Sequence, residues 1–395
     1  MSNKKEMAAM TTTAEAHALV PKLRFPEFLK TDGWRGEKLE KLVTTVNPPV
    51  KLQTSSYLLQ GKFPIIDQSQ DTICGWTNDE STLITESLPL IVFGDHTCTL
   101  KFVAKPFAQG ADGIKIIKAK PVISAAYLFQ SLNHSPLVME DYKRHFSILK
   151  ERVVYFPDVK TGEQQKIADC FSSIDELITL ESQKLDTLKR HKKGLMQQLF
   201  PAEGETIPKL RFPEFKEEGS WQLKPIGEIL SIGNGRDHKH LSDGDVPVFG
   251  SGGYMRSVSE YLHDGESICI GRKGTIDKPF FLSGKFWTVD TLFYTHSFKK
   301  SLPRFVYALF QRIEWLKHNE AGGVPSLSKA NIEKIEVLIP ELEEQKKIAD
   351  CLTSFDDRIA AQNQKIEIFK THKKGLMQQL FPAPDGFSAA QAGNT

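Results

Sequence analysis

Two stretches of the chain place apolar residues at alternating steps of four and three. The first reads Ile167, Phe171, Ile174, Ile178, Glu181, Leu185, Leu188, Lys192, Leu195 and Leu199, with eight of ten apolar. The second reads Ile348, Leu352, Phe355, Ile359, Gln362, Ile366, Phe369, Lys373, Leu376 and Leu380, again eight of ten, with its polar exceptions at the same two places. A period of about 3.5 residues sustained this long predicts a coiled-coil seam, in which a lone polar position fixes register. Pro157 and Pro340 precede the two helices, and Pro201 and Pro382 follow them. Proline is a natural boundary on both sides. Helix one leaves one middle region and enters the next, and helix two leaves that region. The pair is therefore expected to pack antiparallel, with a seam of roughly 48 Å at ~1.5 Å per residue.

Between the seams the pattern shortens. Runs such as Pro89–Phe93, Gly113–Ile117, Ser267–Ile270 and Phe286–Tyr294 alternate with turn signals at Asp243-Gly244, Gly250-Ser-Gly-Gly253 and Asp264-Gly265. They predict β-rich middle regions, with short helices near Ala125–Leu132 and Phe305–Leu316. The fold class expected is α+β: two β-rich domains separated by a pair of long antiparallel helices.

The chain is also written twice. PKLRFPEF stands at Pro21–Phe28 and at Pro208–Phe215, each followed by a tryptophan, Trp34 and Trp221, all at an offset of 187. KIADC recurs at Lys166 and Lys347, and KKGLMQQLFPA at Lys192 and Lys373, at an offset of 181. The ends of the unit are repeated and the middles have diverged. The expected division is a disordered segment 1–20, a first domain 21–160, a first helix 161–200, a second domain with its lead-in 201–340, a second helix 341–382 and a disordered tail 383–395.

Composition narrows the classes. The 395 residues are 40% hydrophobic and 25% charged, ordinary for a soluble globular protein. No run is long and apolar enough for a membrane span, and the start has no signal-peptide core. Five cysteines form no CxxC pair, so neither a disulfide framework nor a zinc module is indicated and a cytoplasmic home is simplest. A net charge of +2 argues weakly against a free-standing nucleic-acid binder.

Catalytic motifs are absent on inspection. Asn47-Pro48-Pro49-Val50 resembles the Asn-Pro-Pro-aromatic motif of adenine methyltransferases, but valine cannot stack on a flipped base. Phe249–Gly253 lacks GxGxxG spacing and reads as a hairpin turn, and Gly271-Arg272-Lys273-Gly274 lacks phosphate-loop spacing. Asp158, Glu163 and Lys166 lie too close together for a nuclease cluster and fit a helix start. No metal site is expected. The remaining candidates are polar loop residues. In the first middle they are Lys51, Gln53, Gln68, Gln70, Asn78 and His96, the last beside Asp95. In the second they are Arg236, His238, Lys239, His240, Arg256, Arg272 and Lys273. These types reach base edges or hold phosphates. For any one of them a solvated loop residue is the plainer reading.

Taken together the strings resemble a known family, the specificity subunits of type I restriction-modification enzymes. The resemblance rests on LRFPEF before Trp34 and Trp221, and on Glu163-Gln-Gln-Lys-Ile-Ala168 and Glu344-Gln-Lys-Lys-Ile-Ala349. KKGLMQQLFP at both helix ends and Gly323-Val-Pro-Ser-Leu327 complete it. The first middle departs from it, reading His-Phe-Ser-Ile-Leu at His145–Leu149. The resemblance implies two target-recognition domains, each reading half of a bipartite, asymmetric DNA site, with half-site centres about one helical turn apart. It implies no catalysis and no bound cofactor in this chain. Two modification subunits with S-adenosylmethionine would methylate adenine, and restriction subunits with ATP and magnesium would translocate and cut. A subunit that works only in such an assembly need not supply all the phosphate affinity, so near neutrality predicts weak DNA binding by the isolated chain. A protein-binding scaffold and a single-chain enzyme are the competing readings.

Overall fold

The computed structural model describes residues 19–139 and 144–382. The two segments expected to be disordered lie outside the described residues, apart from Leu19 and Val20, and Leu19 bridges to Trp34. The chain forms two compact units that do not follow chain order. One holds everything up to Leu180 and from Ile366 onward, and the other runs from Glu181 to Lys365.

The first middle contains β1 (Arg35–Lys38), α1 (Leu39–Leu42), β2 (Val43–Val46), β3 (Phe63–Ile66), β4 (Gly75–Thr77), β5 (Leu90–Gly94), β6 (Leu100–Val103), β7 (Ala108–Gln109), β8 (Ile114–Ala119), α2 (Ala125–His134), α3 (His145–Glu151) and β9 (Val153–Phe156). Helix α4 (Glu163–Leu199) follows. The second middle contains β10 (Gln222–Pro225), α5 (Ile226–Ile229), β11 (Ser231–Asn234), β12 (Val246–Gly250), β13 (Gly253–Val258), β14 (His263–Asp264), β15 (Ser267–Gly271), β16 (Phe280–Leu282), β17 (Lys285–Thr288), β18 (Leu292–His296), α6 (Pro303–Phe310), α7 (Lys329–Lys334) and β19 (Glu336–Ile339), before α8 (Leu342–Leu380).

The diverged middles share one plan. Each has a four-stranded antiparallel sheet, ordered β2-β8-β5-β6 in the first and β11-β18-β15-β16 in the second. Their strands β5 (LIVFG) and β15 (SICIG) are buried at every residue, as short, mainly apolar runs demand, and Ser267 is buried with its hydroxyl accepting from Thr295 N–H. A second sheet, three-stranded β4-β3-β7 or four-stranded β13-β12-β17-β14, mixes antiparallel pairing with one parallel pairing. The pairs β1–β9 and β10–β19 close each domain in antiparallel register.

The repeated ends make the same joints. Arg24 donates to Glu163 from Nε at 2.7 Å and Nη2 at 2.6 Å, and also bonds the carbonyls of Thr31 and Asp32 at 3.0 Å. Arg211 does the same to Glu344 at 2.8 and 2.7 Å, and to the carbonyls of Glu218 and Gly219. Both pairs are buried, with side chains 1–6% exposed. The next residue is a glutamine each time. Gln164 donates to the carbonyls of Pro157 and Val122 and accepts from the Ser124 N–H that opens α2. Gln345 donates to the carbonyls of Pro340 and Lys300 and accepts from the Leu302 N–H that opens α6. At the far helix ends, Phe381 packs on Trp34 and Tyr127, and Phe200 on Trp221 and Phe305.

Every seam position named above is buried or half-buried. Within each unit α4 and α8 run antiparallel. In the first, Phe171 stacks on Phe381 at 5.8 Å, and Lys373 bonds Asp175 at 2.6 Å. In the second, Lys192 bonds Asp356 at 2.6 Å, while Glu181 receives Gln362 and Lys365. The polar seam positions thus meet partners that a slipped register would leave unpaired.

Removing one member of a buried ion pair strands the other charge. Arg24→Met should lower the stability of the first unit by about 3–5 kcal/mol, and Arg24→Met with Glu163→Leu should recover most of it. Lys38→Met, which breaks the exposed pair with Glu151, should have no measurable effect on urea unfolding.

Candidate nucleic-acid interface

In each middle two of the candidate loops are held at one end of the all-antiparallel sheet by equivalent main-chain bonds. After β5, Asp95 N–H donates to the Gly113 carbonyl at 2.7 Å; after β15, Arg272 N–H donates to the Thr291 carbonyl at 2.8 Å. After β2, Leu52 N–H reaches the Gln109 carbonyl at 3.0 Å; after β11, Arg236 N–H reaches the Thr288 carbonyl at 2.8 Å. Asp95-His96 therefore stands where Arg272-Lys273 stands, on the same frame with different side chains.

A third segment completes each cluster. In the second middle, Gly274 N–H bonds the Pro325 carbonyl and Leu327 N–H bonds the Arg272 carbonyl, so Gly323-Val-Pro-Ser-Leu327 braces the Arg272 turn. The first middle has no such string, yet the start of α3 does the work. Phe146 N–H donates to Asp95 Oδ1 at 2.7 Å, and His145 Nδ1 lies 2.7 Å from the Asp95 carbonyl. The departure at His145–Leu149 is a change of brace, made by a side-chain carboxylate in place of main-chain pairing.

The candidates divide on inspection. In the first middle, exposed His96 and Lys51 line a groove of about 960 Å³, and Lys51 pairs with Asp112 at 2.5 Å. The Gln68 amide lies over Gly113, which has a φ of +94°, and its Nε2 reaches the Asp112 carbonyl at 3.4 Å. Asn78 accepts from Lys62 N–H at the open end of the β3–β4 hairpin, and the Gln53 carbonyl caps a short turn at Thr54–Ser56. Gln70 faces a different groove, beside α2 and α8. In the second middle, His238 and Lys239 line a groove of about 730 Å³ with Ser251, Tyr254, Met255 and Thr291. Arg272 and Lys273 project, exposed, from the turn bonded to Thr291. Arg236 is exposed while its carbonyl accepts from Trp287, and His240 lies edge-on to the same ring at 6.1 Å. Arg256 is engaged with Asp243 and the Leu241 carbonyl, so it latches a loop.

Sequence reasoning missed Arg144 and Lys150 beside His96, and Tyr254 and Met255 beside His238. The last two carried a readable signal, being large side chains directly after a glycine-rich tip; they are 63% and 54% exposed. Among the described residues no group of three or more His, Cys, Asp or Glu could hold a metal ion, and no helix is long and apolar enough to cross a membrane.

The family model for the type I restriction modification DNA specificity domain matches residues 218–369, which hold the second loop cluster and its brace. The resemblance read from the repeated strings is thereby upheld. Relatives include the MjaVIII specificity subunit of a type I restriction enzyme from Methanocaldococcus jannaschii, 28% identical over 192 residues, which are 44% of this chain and 43% of that one. The EcoprrI specificity subunit from Escherichia coli is 24% identical over 158 residues, 37% of this chain and 38% of the relative. The chain thus spans less than half the length of these two relatives. The type I restriction-modification S subunit from M. genitalium superposes with a TM-score of 0.66 at 15% identity, over 93% of this chain and 100% of that one. A chain from a type I R-M system, solved to explain complex assembly and conformational transition, gives 0.50 at 14% identity, over 89% and 98%. These likenesses establish the fold: α+β, with two β-rich regions and long coiled-coil helices.

The loop frame and the loop surface should respond differently to substitution. A Cβ on Gly235 would lie 1.9 Å from the Val289 carbonyl oxygen, so Gly235→Ala must displace backbone. It should cost about 1–3 kcal/mol in urea unfolding. Arg236→Ala, one residue on, should leave stability unchanged.

Proposed function

We propose that this chain is the non-catalytic DNA sequence-specificity subunit of a type I restriction-modification complex in the cytoplasm. Each middle domain reads one half of a bipartite, asymmetric target, and the long helices set the spacing between halves. The observation that carries this reading is the shared frame with unshared side chains: Asp95-His96 and Arg272-Lys273 hang on equivalent main-chain bonds. A pair of readers that must recognise different sequences needs this division between a constant scaffold and variable loops.

His96, Lys51, Arg272, Lys273, His238 and Lys239 are the groups for base edges and phosphates. Arginine in particular can bind guanine through two parallel hydrogen bonds. The chain binds no cofactor. Two modification subunits carrying S-adenosylmethionine methylate adenine, and restriction subunits use ATP and magnesium. These partners carry most of the phosphate-binding charge, in keeping with the net charge of +2 here.

Co-expression with the cognate modification subunit should produce adenine methylation in a split motif, read by methylome sequencing. Arg272→Ala should weaken discrimination in one half of that motif by about 1–3 kcal/mol and leave the other half unchanged. Exchange of residues 216–340 for those of a relative should replace that same half alone. Methylation that ignores a split motif in an assembled complex would overturn the reading. So would a change in both halves from either substitution.

A further inference from the structure

The connection between β3 and β4 differs in length from its counterpart in the second middle. In the second middle, β12 ends at Gly250 and β13 begins at Gly253, a tight turn that needs no outside support. In the first, β3 ends at Ile66 and β4 begins at Gly75, and the intervening chain reads Asp-Gln-Ser-Gln-Asp-Thr-Ile-Cys. A polar loop of that composition should be mobile, yet its backbone is held at three carbonyls.

The holders are a single row. Thr97, Thr99 and Lys101 stand two residues apart on the run into edge strand β6, and all three reach the same loop. The Thr97 hydroxyl donates to the Gln68 carbonyl at 2.7 Å, and the Thr99 hydroxyl lies 3.2 Å from the same oxygen. Lys101 Nζ donates to the carbonyls of Asp67 at 2.8 Å and Asp71 at 2.5 Å. Lys101 is 8% exposed, and burial lowers the pKa of its ammonium. Burying an ammonium is costly unless its hydrogens find acceptors, and here the loop's own main chain supplies them. In the second middle the equivalent strand position, paired with Cys269 as Lys101 is with Val92, is Phe280, which packs on Phe249.

While the backbone is clamped, the side chains of Gln70, Asp71, Thr72 and Ile73 all face solvent. They offer a bidentate amide, a carboxylate acceptor, a hydroxyl and a branched apolar group, the groups suited to adenine, to the cytosine amine, to either edge and to the thymine methyl. Gln70 and Thr72 line a groove of about 1070 Å³ on whose wall Lys370 and Lys374 of α8 also lie.

We propose that residues 67–73 form a base-reading loop of the first domain, and that Lys101 is the positioning residue that fixes its shape. This deepens the function proposed above and rests on it. Because the second domain has no such lysine, the effect must be confined to one half of the target.

The test uses the complete chain assembled with its modification subunits, compared as wild type, Lys101→Met, Lys101→Arg, Gln70→Ala and Thr72→Ala, with methylome sequencing as the readout. Lys101→Met should relax base preference in the first half of the motif by about tenfold or more and leave the second half as in wild type. Lys101→Arg, which keeps the donors, should restore part of the preference. Gln70→Ala and Thr72→Ala change exposed side chains only, and at least one should alter preference in the same half. Wild-type preference in Lys101→Met would overturn the positioning role. If Lys101→Met fails to assemble, unchanged motifs in both Gln70→Ala and Thr72→Ala would overturn the reading loop. A wild-type complex that methylates no split motif would instead remove the function on which this inference rests.

Discussion

The whole architecture hangs on a buried arginine that reaches across the chain to a glutamate at the start of a long helix. Arg24 grips Glu163 and Arg211 grips Glu344, each through two parallel bonds, and each also ties down the carbonyls of the lead-in loop. A charge buried this deeply is tolerable only when fully paired, so the geometry is obligatory. It fixes where the lead-in, the helix start and the domain between them come together. The glutamine that follows then aims the helix at the domain's own helix, α2 or α6, by accepting from its first free N–H.

That interaction also explains which parts of the fold were legible. The repeated strings were visible because they are this joint. The arginine of LRFPEF pairs with the glutamate that opens each helix, the next glutamine bonds the domain's main chain, and the phenylalanine at each helix end packs on the tryptophan. The seam was legible for a different reason. A strict heptad over so many turns has few alternative packings, and its polar interruptions found partners in Asp175, Asp356 and Gln362.

The middles were only half legible. Their buried central strands showed as apolar runs, but the common topology did not, because it lives in pairing order and backbone bonds that leave no shared residues. Among the candidate side chains, type alone could not separate use from support. Asn78 and Arg256 have the chemistry of readers, yet each is occupied locally, by Lys62 and by Asp243. Lys101 was invisible from sequence as anything but another lysine. Its burial is a tertiary fact, set by a loop thirty residues away in the chain.

One property of the joint reaches further. Gln164 meets the first domain at the carbonyl of Val122 and the N–H of Ser124, and Gln345 meets the second at the carbonyl of Lys300 and the N–H of Leu302. Every one of those is a main-chain atom, which every residue but proline carries alike. The socket is therefore blind to the sequence of what is plugged into it. A domain of this topology can be rewritten from strand to strand, or replaced outright, and the glutamine will find the same two atoms waiting.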